Sequence, residues 1–140
     1  MASNKTPPFN PYPKWTTAKF FGFIRSGLRE KFNRWPPKYE VLIASRKAVP
    51  VLDEEGNEVV YKTGRKIGEV KLVNVCQCSE CKEWYKQKDV QVDHKIPAGS
   101  LRTFEDLPKF VSNLFCGVDD LQVLCTTCHQ KKTNKERENV

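Results

Sequence analysis

The chain has 140 residues and a formal charge of +7, carried by 24 Lys and Arg against 17 Asp and Glu. With 39% hydrophobic residues and no apolar run of membrane-spanning length, it reads as one modest soluble domain with an arm. The first residues, MASNKTPPFNPYPKW, lack the apolar core of an export signal, so the six cysteines are expected to bind metal rather than form disulfides.

The charge is unevenly distributed. Residues 1–50 hold ten bases and two acids, Glu30 and Glu40, whereas residues 51–140 hold fourteen bases and fifteen acids. The basic surplus is therefore N-terminal, where nine of the fifteen aromatics also lie, within residues 1–39. Such a segment suits a polyanion, because phosphate contacts give salt-sensitive affinity without sequence preference.

Proline-rich residues 1–15 are expected to be extended. Thr16 or Thr17 is placed to cap a helix running to about Asn33, with Phe20, Ile24, Leu28 and Phe32 as its apolar stripe and Phe21 and Phe23 beside it. Arg25 and Arg29 share another face, with Arg34 nearby. Trp35-Pro36-Pro37 ends this helix, and Pro37 opens a second that stops before Pro50 and presents Lys38 to water or phosphate. Val51-Leu52 and Val59-Val60-Tyr61 flank the turn-forming Asp53-Glu54-Glu55-Gly56-Asn57, a hairpin pattern. A strand over 70–75 leads into the first cysteines, and a second covers Val90 to His94. Thr103 with Asp106 reads as the start of a helix whose apolar face is Phe104, Leu107, Phe110 or Val111, and Leu114. Pro108 is tolerated if that helix begins near Leu107. A strand over 121–124 precedes a polar, basic helical tail.

Cys78-Ser79-Glu80-Cys81 and Cys125-Thr126-Thr127-Cys128 form two C-x2-C pairs separated by 43 residues. Two such turns deliver the four thiolates of a structural zinc site. A redox C-x2-C would not need the second pair. Cys76 offers a third nearby thiol, although C-x2-C geometry favours Cys78 and Cys81. Cys116 reads as a small hydrophobe. The only two histidines stand beside informative neighbours, His94 after Asp93 and His129 after Cys128. A carboxylate and an imidazole can share a divalent cation, and a neutral imidazole can take a proton from water. Because successive strand residues face opposite ways, Asp93 and His94 serve one site only if the strand end bends.

The words C-S-E-C, V-D-H-K-I-P, D-D-L-Q-V-L-C-T-T-C-H and K-K-T, over roughly residues 76–136, resemble the HNH nuclease family in its four-cysteine variety. Small bacteriophage-encoded HNH endonucleases are the nearest likeness. The N-terminal words W-T-x-A-x-F-F-G-F-I-R-S and R-W-P-P-K-Y also look phage-type. The resemblance implies an α+β fold, with a small zinc-stabilised ββα-metal core and a basic helical extension. The segments would be residues 1–50 as arm and helices, 51–75 as hairpin and linker, and 76–140 as nuclease core. It further implies metal-dependent cleavage or nicking of double-stranded DNA. His94 would be the general base, and Asp93 and His129 the ligands of Mg2+, Mn2+ or another first-row cation. Asp120 would complete the catalytic set with His94 and His129. It stands where the family usually has an Asn that positions the loop and orients the base histidine. Asp can accept but not donate like an amide, so it would instead raise the basicity of His94. Lys132, with Arg25, Arg29, Arg34 and Lys38, would meet DNA phosphates. Phage DNA-packaging proteins are implied as partners, in the cytoplasm of an infected host, with the enzyme a monomer or weak dimer and no membrane involved. The alternative from the same features is a non-catalytic zinc-containing DNA-binding module.

Overall fold

The computed structural model describes residues 12–138; the extended arm expected at the N-terminus falls largely outside them. The chain is mixed α and β and divides into two compact units. One comprises residues 1–40 and 94–122, the other residues 41–93 and 123–140. Among the described residues no helix is long and apolar enough to cross a membrane.

The first unit is built on helix α1 (Thr17–Phe32) and helix α3 (Leu107–Leu114). Thr16 caps α1, its hydroxyl accepting the Lys19 N–H at 3.1 Å, which satisfies a helix-end donor. The expected stripe is only partly the buried one. Phe21 and Phe32 are buried, whereas Phe20, Ile24 and Leu28 are half-buried. Phe21 turns inward because Phe104 receives it, ring centres 5.0 Å apart. Helix α3 begins at Leu107, so Pro108 occupies the first turn, where its missing N–H costs nothing. Ahead of it the Asp106 carboxylate accepts the N–H groups of Arg102 and Thr103 at 2.9 and 3.1 Å, the reciprocal half of a capping box. These bonds, chiefly that from Arg102, hold Asp106 below the usual carboxylate range. Phe110, Leu114, Leu101, Ala98 and Leu121 complete the buried set.

The second unit contains a three-stranded antiparallel sheet in the order β1 (Arg46–Pro50), β2 (Leu72–Gln77), β3 (Trp84–Lys86). Helix α2 (Pro36–Ala44) is shorter than its sequence pattern predicts. Residues 46–50 leave it to pair with β2, Arg46 opposite Cys76 and Pro50 opposite Leu72. Pro50 is tolerated because β1 lies at the sheet edge. The expected hairpin forms over residues 51–59, where the Val59 N–H donates to Val51 O at 2.9 Å, Asp53 Oδ1 accepts from the Glu55 and Asn57 N–H groups, both at 2.9 Å, and Gly56 takes φ +85°; Val60 and Tyr61 pair instead with Val70 and Glu69. Strands β4 (Val90–His94) and β5 (Leu121–Cys125) pair into a second small sheet. β5 runs directly into helix α4 (Thr126–Glu138).

Candidate metal centre and neighbouring acid–base residues

The two C-x2-C pairs converge in the second unit. The four Sγ atoms of Cys78, Cys81, Cys125 and Cys128 all lie within 4.8 Å of one another and can hold a metal ion. A ZnS4 tetrahedron with bonds near 2.3 Å has sulfur–sulfur edges of about 3.8 Å, so the cluster needs only a small contraction. Local backbone geometry makes each turn. The β2–β3 connection closes when the Cys78 N–H donates to Glu83 O at 2.9 Å and the Lys82 N–H donates to Cys78 O at 3.0 Å. Lys82 adopts φ +64°, a left-handed conformation costing roughly 1–2 kcal/mol for a residue with a side chain. Cys125 ends β5 and Cys128 lies in the first turn of α4, its N–H directed at Cys125 Sγ at 3.4 Å. The Ser79 N–H donates to Val123 O at 2.8 Å and ties one turn to the strand that feeds the other.

The thiols differ in acidity. Burial opposes ionisation of Cys78, but main-chain N–H groups of Cys81, Cys125 and Glu80 outweigh it and hold the thiol below its ordinary range. Burial of Cys125 is likewise outweighed by the Cys128 N–H and the Tyr85 hydroxyl. Cys128 is pushed up to about 12 by burial and by Cys125, Cys78 and Cys81. Thiolates gathered this closely repel one another, an electrostatic demand that a divalent metal meets. Tyr85 was not legible as part of this centre from sequence. Its hydroxyl lies 3.3 Å from Cys81 Sγ, and the thiols Cys81 and Cys125 hold it protonated well above its usual range. Toward an ionised sulfur it can only donate.

Cys76 is fully buried beside Val90 and Val123 and stands outside the four-sulfur cluster, so it is a core residue. Cys116 is half-buried; its thiol is raised mainly by burial, and its carbonyl accepts the Trp35 indole N–H at 2.7 Å.

Immediately after Cys128, helix α4 brings His129 and Lys132 to Asp93. His129 Nε2 is 3.6 Å from Asp93 Oδ1, and Lys132 Nζ is 3.2 Å from Asp93 Oδ2. Lys132 also pairs with Glu136, one turn further along. Burial disfavours the Lys132 charge, but Glu136 and Asp93 outweigh it and hold the ammonium above its ordinary range. A carboxylate and an imidazole meeting in this way make a donor set suited to a first-row or hard divalent cation.

His94, the next residue after Asp93, has its partners in the first unit. Its Nε2 lies 2.8 Å from Leu114 O, and its ring centre is 4.5 Å from that of Phe32. A carbonyl only accepts, so the neutral imidazole carries its proton on Nε2 and keeps the Nδ1 lone pair for another proton. Asp120 is exposed in the turn before β5, and its carbonyl accepts the N–H of Lys95, the residue after His94, at 2.9 Å.

The expected phosphate contacts are dispersed along the first unit and α4. Arg25, Arg29 and Arg34 are exposed, with the Arg29 guanidinium 5.6 Å from the Phe110 ring centre. Lys38 is half-buried, bonded to Asn33 Oδ1 at 3.0 Å and set over Phe32. Comparisons with protein-family models, with curated proteins and with solved structures found no match.

Proposed function

We propose that the chain is a metal-dependent DNA endonuclease or nickase of the HNH type, acting in bacteriophage DNA processing, with zinc in the four-cysteine centre. The observation that carries this reading is the meeting of Asp93 with His129, immediately downstream of the second C-x2-C turn. Zinc held by four thiolates has no open position, so its role is to fix the start of α4 and thereby His129.

Asp93 and His129 would hold a catalytic divalent cation. Bound there, that ion supplies positive charge against the scissile phosphate and the leaving 3′-oxygen. His94 contributes the base. With Nε2 committed to Leu114 O, its Nδ1 lone pair is the acceptor for the proton of the attacking water. Phe32 packs against the ring and limits its rotation. Asp120 acts through its main chain, anchoring the peptide that follows His94. The exposed arginines Arg25, Arg29 and Arg34, with Lys38, supply the basic surface for duplex DNA.

Incubation of the zinc-loaded chain with supercoiled plasmid across Mg2+, Mn2+ and Ni2+ tests this reading. Nicked or linear product is expected from the native chain, with at least about a hundredfold loss in His94→Ala. Duplex binding without cleavage in any metal would instead favour a zinc-containing DNA-binding module.

A further inference from the structure

One feature of α4 goes beyond a nuclease reading. His129, Lys132 and Glu136 lie at spacings of three and four, so they share one helix face. Lys132 spans two carboxylates, with Nζ at 3.2 Å from Asp93 Oδ2 and a close pair with Glu136. Asp93 and Lys132 are largely withdrawn from water, at 12% and 24% side-chain exposure, so screening of their pair is incomplete. A charge held this way is not a solvated surface lysine.

From this geometry we infer that Lys132 is a built-in occupant of the cation position at Asp93, and that Glu136 is the residue onto which Lys132 withdraws when a divalent cation binds. The inference rests on the reading of Asp93 and His129 as metal ligands. Its physical content is competition. The ammonium neutralises Asp93 in the metal-free state, so the carboxylate is never left bare in a half-buried setting. A divalent cation must displace it, against repulsion between like charges. Glu136 lowers that barrier, because Lys132 exchanges two carboxylates for one instead of for none. It is a positioning residue that acts through Lys132. Metal loading is thereby coupled to movement of a cationic side chain from Asp93 onto Glu136.

The test is Mn2+ affinity of the zinc-loaded full chain, read as free Mn2+ by electron paramagnetic resonance, with no DNA and no turnover involved. Lys132→Met removes the competitor and keeps the aliphatic length; Mn2+ is expected to bind at least about tenfold tighter. Lys132→Arg keeps the charge and is expected to stay much nearer to the native affinity. Glu136→Gln is expected to weaken binding severalfold in the native background but not in the Lys132→Met background. Unchanged or weaker Mn2+ binding by Lys132→Met overturns the inference. So does an equal Glu136→Gln effect in both backgrounds, which would mark Glu136 as a ligand or a general negative charge. Asp93→Asn separates the two levels. If it abolishes Mn2+ binding while Lys132→Met changes nothing, the ligand reading stands and the competition fails. If Mn2+ binds Asp93→Asn as it binds the native chain, both fail.

Discussion

Removing the zinc proposed for the four-cysteine centre should unfold the second unit. Among the described residues, its buried side chains are Cys76, Cys78, Val90, Val123, Leu124, Cys125 and Cys128. Only Val90, Val123 and Leu124 in that set are not cysteines. At about 1.5–3 kcal/mol for each fully buried aliphatic side chain, these three contribute roughly 5–9 kcal/mol together. A structural zinc site contributes about 10–16 kcal/mol at neutral pH, more than that small core. The first unit differs, with Phe21, Phe32, Leu101, Phe110, Leu114 and Leu121 buried and no cysteine among its buried residues. Chelation, checked by elemental analysis for loss of bound metal, is therefore expected to abolish amide-exchange protection in β2, β3 and α4. Protection in α1 and α3 should largely survive. A metal-free chain whose β2, β3 and α4 amides stay as protected as before would refute the argument. It would mean that the thiols pack as ordinary core.

Three further outcomes follow from particular contacts. Tyr85→Phe removes a hydroxyl donor from the thiolates and should lower zinc affinity by about tenfold, read by competition with a chromophoric chelator; unchanged affinity would assign Tyr85 to packing alone. Nitrogen-15 spectra should find neutral His94 protonated on Nε2. In Phe32→Leu, a change of packing expected to cost about 1 kcal/mol, the ring should sample both tautomers, and since only two histidines exist, His129→Ala completes the assignment. Asp106 has a depressed carboxyl, so its stabilisation is complete above the ordinary carboxylate value and is lost as pH falls through the lower folded value. Thermal melts below about pH 4 should show that loss in the native chain, and Asp106→Asn should flatten it.

What the sequence revealed depended on how local the cause was. Helix α1 is legible because Thr16 caps it and its apolar residues Phe20, Ile24, Leu28 and Phe32 recur at helical spacing. Phe21 lies beside that stripe, and its burial depends on Phe104 far along the chain. The four sulfurs were legible because each pair is set by a short turn. β1 was not: R-K-A-V-P holds two charges and a proline, and it becomes a strand only through pairing with β2. β3 spans three residues, too few to display a period. Lys132 and Glu136 are four apart and readable as a helix pair, but nothing local ties them to Asp93. Tyr85 was missed for the same reason: its role depends on sulfurs supplied by distant segments.

The placement of the two cysteine turns also sets an order of events during synthesis. Cys78 and Cys81 are made first, and 43 residues separate Cys81 from Cys125. At ribosomal speeds of about 5–20 residues per second, the first pair waits roughly 2–9 s for its partners. During that interval a two-thiol half-site can hold metal only weakly, and its sulfurs are open to oxidants and to competing metal carriers. His129 follows Cys128 immediately, so the residue that meets Asp93 is made directly after the last sulfur of the cluster. The nascent chain thus completes its four-cysteine cluster and its proposed DNA-cutting apparatus nearly together, and a chain stopped before Cys128 carries neither.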